Sequence, residues 1–145
     1  MVSDIEIKKT EAGNFKAGIK HCPIETAFEH IGRKWAINII RDLFLGKKKF
    51  REFLEANPEL SGKVLSQRLK ELEKDGLIKK KIVSKTPLKA EYELSEKGKN
   101  LDKVLYEIVT FSMKNYSNEV FRYPSKFDEK LFSIIAKKSL GIKSR

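Results

Sequence analysis

The sequence predicts an α+β fold that is mainly α: a winged helix-turn-helix with a β-hairpin wing and flanking dimerisation helices. Apolar residues repeat at helical spacing over most of the 145 residues. The spacing changes to strand-like alternation after Gly76 and returns to helical spacing after Ser95. The resulting order is helix, short helix, capped helix, hairpin and long helix. In a helix-turn-helix protein the second helix of the motif enters the major groove of DNA.

Two helices are predicted before the helix-turn-helix itself. The first begins after Cys22, because Pro23 suits the first helical position, where its missing N–H would have no helical partner. Gly32 interrupts the pattern, which resumes over residues 34–45. The segment before them, residues 1–21, shows no sustained spacing and is predicted to be a loosely structured N-terminal arm.

The helix-turn-helix is predicted from a short helix over residues 50–56 and a longer helix that begins at Ser61 and ends near Lys74. Serine is a preferred residue at the position that caps a helix N-terminus. The inner face of the longer helix carries leucines at helical spacing, namely Leu65, Leu69 and Leu72. The outer face carries hydrogen-bond groups suited to bases and phosphates. We predict DNA contacts from Ser61, Lys63, Ser66, Gln67 and Lys70.

A polar helix face is also what any solvated helix shows, so the hairpin helps to decide between the two interpretations. Residues 79–89 contain five lysines and no acidic residue. A basic hairpin beside a helix-turn-helix is typical of a wing, which lies along the DNA backbone or enters the minor groove. The predicted contacts are Lys79, Lys80, Lys81, Lys85 and Lys89. DNA is favoured over RNA because the hairpin lacks an aromatic stacking platform.

The whole-chain composition also favours a polyanionic partner. Thirty-one Lys and Arg residues face twenty Asp and Glu residues, which gives a formal net charge of +11. Compositional bias alone could produce such a surface, but the concentration of lysine on two adjoining elements favours double-stranded DNA. The sequence contains no apolar stretch long enough for a membrane span and no targeting segment, so a cytoplasmic location is predicted.

The sequence predicts no enzyme, no cofactor and no metal site. One cysteine and two histidines do not supply the ligands of a zinc site within one chain. No phosphate-binding glycine loop or nucleophile elbow is present. Four aromatic residues could line a ligand pocket, but their helical spacing favours the core; they are Phe28, Trp35, Phe44 and Phe53. The sequence identifies no small-molecule effector.

Five segments together resemble the HxlR-type family of MarR-like winged helix-turn-helix regulators. They are residues 22–25 (CPIE), 31–35 (IGRKW), 50–53 (FREF), 60–78 (LSGKVLSQRLKELEKDGLI) and 91–98 (EYELSEKG). The resemblance covers about residues 22–112 and implies a dimeric regulator of nearby genes that dimerises through its N- and C-terminal helices. At Gly62 the family often has a polar side chain, commonly Gln, so a DNA sequence preference does not carry over.

Cys22 matches a Cys-Pro position that, in some members of that family, senses oxidants or electrophiles. The positive end of the helix macrodipole favours the thiolate, which is the reactive form of the side chain. As the only cysteine, Cys22 could be modified by a small molecule or pair with the same residue of a second subunit. The alternative is an unreactive, partly buried thiol that only caps the helix.

We predict three regions: an N-terminal arm (1–21), a winged helix-turn-helix domain with its dimerisation helix (22–112) and a C-terminal helical extension (113–145). A long helix begins after Ser95, and its apolar stripe is the predicted dimer contact. That stripe consists of Leu101, Val104, Leu105, Ile108 and Phe111. A last amphipathic helix over residues 126–140 could extend the interface or cover a groove.

A homodimer of this kind is expected to bind a pseudo-palindromic operator with half-sites roughly 34 Å apart. Two other functions remain open at this point. The fold could serve as a protein-interaction module, which would not need the lysines of the hairpin. It could also be an architectural DNA binder without sequence preference.

Overall fold

The computed structural model describes residues 8–9, 15–16, 20–123 and 129–139. The chain forms two compact units, Met1–Arg33 and Lys34–Arg145. The predicted fold class is confirmed, since the described part is mainly helical and the second unit contains a two-stranded antiparallel hairpin. Within the described residues, no helix is both long enough and apolar enough to cross a membrane.

The described residues of the first unit form a short strand pair and a helix. Strand β1 (Lys8–Lys9) pairs antiparallel with β2 (Phe15–Lys16), an element that the irregular sequence of the arm does not predict. Helix α1 (Pro23–Ile31) begins where Pro23 predicts it. Its side chains, all of which are described, include none that is buried. The core position predicted for Phe28 is therefore wrong, because its side chain is 61% exposed.

The second unit begins with α2 (Ala36–Phe44) and α3 (Phe50–Ala56). Helix α2 starts two residues later than the spacing predicts, because Trp35 takes a left-handed backbone conformation (φ 76°) at the N-cap. The buried apolar side chains of these two helices are Ala36, Ile39, Ile40, Leu43 and Phe53. Trp35 and Phe44 are only half-buried, so of the four aromatic residues Phe53 alone is a full core residue.

A buried polar cluster joins the end of α2 to the end of α3. The carboxylate of Asp42, which is 1% exposed, accepts hydrogen bonds from Arg41 Nη2 (2.8 Å) and from Asn57 Nδ2 (2.7 Å). Asn57 Nδ2 also donates to the carbonyl of Phe53 (2.8 Å). Because a buried carboxylate is stable only when paired and hydrogen-bonded, this cluster fixes the position from which the chain enters the next helix.

Helix α4 (Gly62–Lys74) follows, with Ser61 as its N-cap. The Ser61 hydroxyl accepts a hydrogen bond from the backbone N–H of Val64 (3.2 Å), which satisfies one of the free donors at the start of the helix. The leucines of the inner face are all buried, as the spacing predicts: Leu65, Leu69 and Leu72. Gly76 has φ 75° and ends the segment in a conformation that glycine adopts without strain.

Strands β3 (Ile78–Lys85) and β4 (Leu88–Leu94) form the hairpin around a turn at Thr86-Pro87. Their register runs from Ile78 opposite Leu94 to Lys85 opposite Leu88, with an irregularity between Ile82 and Ser84.

The base of the hairpin is attached to the helices by a backbone contact and a ring contact. The backbone N–H of Tyr92 donates to the carbonyl of Lys48 (2.8 Å), so the segment before α3 lies beside β4. The rings of Phe53 and Tyr92 meet edge to face with centroids 6.3 Å apart.

The single long helix predicted after Ser95 is wrong, because the structure has α5 (Glu96–Lys99) and then α6 (Asp102–Asn115), followed by α7 (Ser117–Val120). Gly98 lies so close to the start of the hairpin that a Cβ there would collide with the carbonyl oxygen of Leu77. The Ser95 hydroxyl donates to the carbonyl of Gly76 and accepts from the N–H of Gly98. These contacts hold α5 against the hairpin, and a separate helix begins after it.

Helix α8 (Glu129–Ser139) packs against α6. Residues 126–128 and 140 of the predicted last helix lie outside the described residues. Met113 and Ala136 are buried between the two helices, and the hydroxyls of Tyr106 and Ser133 lie 2.7 Å apart. The partly buried residues around them are Tyr106, Val109 and Phe121.

The apolar stripe predicted on α6 is in fact divided between two sides of the helix. Leu105 is 4% exposed and belongs to the core, whereas Val104, Ile108 and Phe111 are 42%, 46% and 56% exposed. Adjacent residues of a helix point about 100° apart, so Leu105 can turn into the core while Val104 stays exposed. Leu101, half-buried, is the N-cap of α6 rather than part of the helix. Leu105 is therefore removed from the predicted dimer contact.

Candidate nucleic-acid interface

The outer face of α4 presents the polar side chains that the sequence singles out. Lys63, Gln67 and Lys70 are exposed, and Ser66 is half-buried beside them. At about 100° per residue these positions lie opposite the buried leucines. The face can therefore meet a polar surface without disturbing the packing of the helix.

Ser61 and Gly62 define the start of this face. The Ser61 side chain is exposed, and its oxygen already accepts the capping hydrogen bond from Val64. A Cβ at Gly62 would meet only the ring of Phe50, at 3.8 Å, which is ordinary van der Waals contact. The departure from the family pattern at Gly62 is therefore not required by packing.

A chain of hydrogen bonds that the sequence analysis did not identify runs along α4 behind this face. Gln67 Nε2 donates to Glu71 Oε1 (3.2 Å), and Arg68 Nη1 donates to Glu71 Oε2 (2.7 Å). Arg68 Nε also donates to the carbonyl of Lys34 (2.8 Å), just before α2 begins. Glu71 lies three residues after Arg68 and four after Gln67, the spacings at which side chains on a helix meet. These spacings are the sequence signal from which the contacts could have been predicted.

All five lysines of the wing are exposed, but their cross-strand partners differ. Lys79 lies opposite Glu93 and Lys81 lies opposite Glu91, whereas Lys80 lies opposite Tyr92. Near the turn, Lys85 lies opposite Leu88 and Lys89 lies opposite Ser84. Directly opposed side chains share one face of a hairpin. The acids therefore offset the charges of Lys79 and Lys81, whereas Lys80, Lys85 and Lys89 have no acid directly opposite them.

The tip of the wing also exposes apolar side chains. Leu88 is 70% exposed, and Ile82 and Val83 are about half exposed. The irregular register between Ile82 and Ser84 places this group beside Lys85 and Lys89. The tip thus combines cationic groups with apolar surface, a combination that suits contact with phosphates and sugars in a groove.

The ionisable groups around the base of the wing are held by local contacts. Glu52 accepts hydrogen bonds from the backbone N–H groups of Lys48 (2.7 Å) and Lys49 (2.8 Å), and these lower the pKa of its carboxyl. Burial, assisted by the charge of Glu73, raises the pKa of Tyr92.

An ion pair and a shallow cleft lie in the same region. Glu96 and Lys99 form an ion pair (2.9 Å). This pairing lowers the pKa of Glu96 and raises the pKa of Lys99. A cleft of about 290 Å³ there is lined by residues of both charges: Leu43, Lys47, Lys48, Lys79, Tyr92, Glu93, Leu94, Glu96 and Lys99.

Cys22 lies in the first unit as the N-cap residue of α1, and its thiol is free and exposed. Among the described residues its side chain makes no capping hydrogen bond; instead its carbonyl accepts from the N–H and hydroxyl of Thr26, both at 3.0 Å. The structure thus places a solvent-accessible thiol at a helix N-terminus. It does not show the partly buried capping side chain of the alternative.

A family model described as HxlR-like helix-turn-helix matches residues 30–120 of the chain. YvaP of Bacillus subtilis, an uncharacterized HTH-type transcriptional regulator, is 43% identical over 88 residues, which are 60% of this chain and 82% of YvaP. YodB, an HTH-type transcriptional regulator of the same organism, is 41% identical over 88 residues, which are 60% of this chain and 79% of YodB. The matched segment ends before α8.

The fold is similar to those of solved regulators. Reduced YodB from B. subtilis superposes with a TM-score of 0.58 and 38% identity, over 66% of this chain and 94% of YodB. YtcD superposes with a TM-score of 0.64 and 35% identity, over 67% of this chain and 99% of YtcD. The redox regulator HypR in its oxidised form superposes with a TM-score of 0.59 and 33% identity, over 65% of this chain and 97% of HypR. YodB has also been solved in quinone-bound and diamide-treated forms.

The matched segment contains α4, the hairpin and most of the elements that support them, and it covers more than half of the chain. The chain belongs to the HxlR-like helix-turn-helix family and is a DNA-binding transcription regulator, not an enzyme.

Proposed function

We propose that the protein is a homodimer that binds a pseudo-palindromic operator in a sequence-specific manner. Helix α4 enters the major groove, and the lysines of the wing contact the DNA backbone or the adjacent minor groove. The observation that carries this proposal is the outer face of α4, where exposed Lys63, Gln67 and Lys70 lie opposite the buried leucines. Lysine and glutamine side chains bind phosphates and the edges of bases in the major groove.

The proposal of a homodimer is supported by apolar surface that one chain leaves exposed. On α1, Ile24 and Phe28 are one helical turn apart and mostly exposed. On α6, the exposed group consists of Val104, Ile108 and Phe111. Apolar side chains grouped on one face of a helix are typical of surfaces that a partner covers. A second copy of the chain would cover them and would bring two α4 helices to half-sites roughly 34 Å apart.

The salt dependence of DNA binding tests the charge part of this proposal. Six or more lysine–phosphate contacts should give a slope of about −5 or steeper when log K is plotted against log salt concentration. The variant with Lys79, Lys80 and Lys81 all changed to Glu should lose binding. Its matched control changes Lys130, Lys137 and Lys138, exposed on α8, to Glu and should bind nearly as wild type.

The outcomes separate the three functions. Discrete, two-fold-symmetric footprints, with a preference of roughly 10³ or more over random DNA, support a specific regulator. Equal binding to all duplexes would support an architectural DNA binder instead. The absence of salt-dependent DNA binding would favour a protein-interaction module and would contradict the proposal.

We further propose that Cys22 makes DNA binding responsive to oxidants or electrophiles. Its thiol is free and exposed at a helix N-terminus, and similar folds include quinone-bound YodB and the redox regulator HypR in oxidised form. The thiolate can add to a ring carbon of a quinone: the C–S bond forms as a C=C π pair shifts onto a carbonyl oxygen, which takes a proton from water, and transfer of the ring proton to the other carbonyl oxygen leaves a hydroquinone thioether. Alternatively, two Cys22 thiols from two subunits can transfer two electrons and two protons to diamide and form a disulfide.

Wild type and Cys22→Ser should be compared before and after treatment with a quinone or with diamide. The expected result is a change in operator affinity in the wild type alone, reversed by thiol only if the product is a disulfide. Mass spectrometry and non-reducing electrophoresis would distinguish the adduct from the disulfide. Equal responses of the two proteins would reject Cys22 as the sensor and leave the DNA-binding proposal untouched.

A further inference from the structure

We propose that Glu71, anchored by Arg68, is a positioning residue that orients the Gln67 carboxamide to recognise adenine in the major groove. This inference rests on the proposed function, since it requires the outer face of α4 to contact bases.

Arg68 provides the fixed point. Its side chain is 17% exposed, unlike the exposed Lys63 and Lys70 on the same helix. Its Nε donates to the backbone carbonyl of Lys34, thirty-four residues earlier in the chain, and its Nη1 donates to Glu71. A guanidinium presents its donors in a rigid planar fork, so two such partners fix its orientation. Arg68 is therefore held by a contact outside α4. Its guanidinium serves as an internal anchor, and we do not assign it a DNA contact.

Glu71 links the fixed guanidinium of Arg68 to the side-chain amide of Gln67. One carboxylate oxygen, Oε2, accepts from Arg68 at 2.7 Å, and the other, Oε1, accepts from Gln67 Nε2 at 3.2 Å. An ionised carboxylate can only accept hydrogen bonds, so the amide nitrogen of Gln67, and not its carbonyl oxygen, must face Glu71. The hydrogen-bond chemistry thus fixes which way the amide is turned.

With its orientation fixed, the Gln67 amide presents a defined pair of hydrogen-bond groups to DNA. The contact with Glu71 uses one N–H of the Gln67 amide and does not use its carbonyl oxygen or its second N–H. Adenine presents an N6 donor and an N7 acceptor in the major groove, which match one acceptor and one donor of the carboxamide. Guanine presents two acceptors there and cannot satisfy the carbonyl oxygen. Without Glu71 the amide could rotate and present either group, so the discrimination between purines should weaken.

The test is selection from a randomised duplex DNA library with purified full-length wild type and variants. Wild type should enrich a two-fold-symmetric motif with one adenine in each half-site, preferred about ten-fold over guanine. Gln67→Ala and Glu71→Ala should both reduce that preference to about two-fold while leaving the other positions of the motif intact. The double variant should lose no more than either single one, because the two residues act through one contact.

Two further variants separate positioning from charge and from folding. Glu73→Gln removes an acidic charge from the same helix without touching Gln67, and it should keep the wild-type motif. Glu71→Gln keeps the size of the side chain but can present either end of its amide to Gln67, so an intermediate preference is expected. Thermal unfolding of each variant, and a salt slope equal to that of wild type, would show that α4 still docks.

The outcomes for the two proposals are distinct. If wild type enriches no motif, sequence-specific binding fails and this inference falls with it. A second outcome is that wild type enriches a motif whose adenine preference is equally strong in Glu71→Ala and Glu71→Gln. That result would leave sequence-specific binding intact and overturn the positioning role of Glu71. A loss at the same base pair in Gln67→Ala and in the two Glu71 variants would support it.

Discussion

Helices α4 and α6 are both amphipathic, but they use their two sides differently. Helix α4 buries leucines on one side and shows polar side chains on the other. Helix α6 is apolar on two sides: one is covered by α8, and the other, formed by Val104, Ile108 and Phe111, is exposed. A polar outer face is stable in water, whereas a second apolar face favours a partner. The two helices therefore indicate different partners, a polyanion for α4 and an apolar surface for α6.

Helix α8 adds to this comparison because it lies beyond the segment that matches the family model. It covers the side of α6 that carries Met113, and among the described residues Val104, Ile108 and Phe111 on the opposite side are exposed. The described contacts show α8 packed against α6, and both roles named for the last helix, an extended dimer interface and a groove cover, stay predictions. In the proposed homodimer, the exposed apolar side of α6, that of Val104, Ile108 and Phe111, would be the side available to a second subunit.

The largest expected effect comes from placing a charge on the exposed apolar side of α6. Ile108→Glu should convert a dimer to a monomer, because the carboxylate would lose its hydration on association without gaining a partner. Losing the second half-site contact should weaken operator binding by about 100-fold or more. Sedimentation equilibrium and DNA titration would measure the two changes.

The control for this variant is Lys103→Gln, which changes the net charge equally on another side of α6. It should remain dimeric. If Ile108→Glu also stays dimeric at the same concentration, the exposed side of α6 is not the interface. The difference between α4 and α6 would then need another explanation.

The two faces of α4 can be separated by neighbouring substitutions. Leu69→Ala should destabilise the fold by about 2–5 kcal/mol, because it leaves a cavity in the core. Lys70→Ala should change stability by less than about 0.5 kcal/mol and should reduce the salt slope of DNA binding by about 1 if the side chain contacts a phosphate. Chemical denaturation and DNA titration would check both. A Lys70→Ala variant with an unchanged salt slope would remove Lys70 from the proposed contact.

The elements of α4 were predictable because their signals are local. Ser61 supplies the cap, leucine spacing defines the inner face and Gly76 marks the end, so the predicted helix differs from the observed one by a single terminal residue. The helix after Ser95 was not predictable in the same way. Its apolar spacing continues through residue 101, and the break depends on the close approach of Gly98 to Leu77 from another part of the fold.

The same distinction applies to the candidate DNA-binding face. The outward position of Gln67 and Lys70 follows from helical spacing, and the structure places both on the exposed side. The anchor behind them does not follow, because Arg68 binds the carbonyl of Lys34 through the tertiary fold. The pairing of the wing lysines with Glu91 and Glu93 likewise depends on a strand register that the hairpin sequence does not specify.

The cover that α8 provides can be removed without changing α4. Ala136 is fully buried against α6, so Ala136→Asp should detach α8, expose Met113 and increase the binding of an apolar dye. Ile134→Asp introduces the same charge at an exposed position of α8 and should do neither. Affinity for DNA should change by only a few-fold in both variants. If the dye response is the same for both, α8 does not cover that side of α6 in solution.

The smallest expected effect is a change in stability from the polar contacts of Glu52 at the start of α3. Glu52 binds the backbone N–H groups of Lys48 and Lys49, and the carbonyl of Lys48 in turn holds β4. Because these bonds lower the pKa of Glu52 below 4.5, its contribution to stability is present above that pH and is lost as the pH falls through the lowered value. Glu52→Gln should therefore lower Tm by a few degrees at most at pH 7, and the difference from wild type should vanish in acid. Glu55→Gln, which removes a carboxylate bonded to the Arg51 side chain instead, provides the matched control. A difference between Glu52→Gln and wild type that persists unchanged in acid would mean that the ionised carboxylate does not stabilise the start of α3.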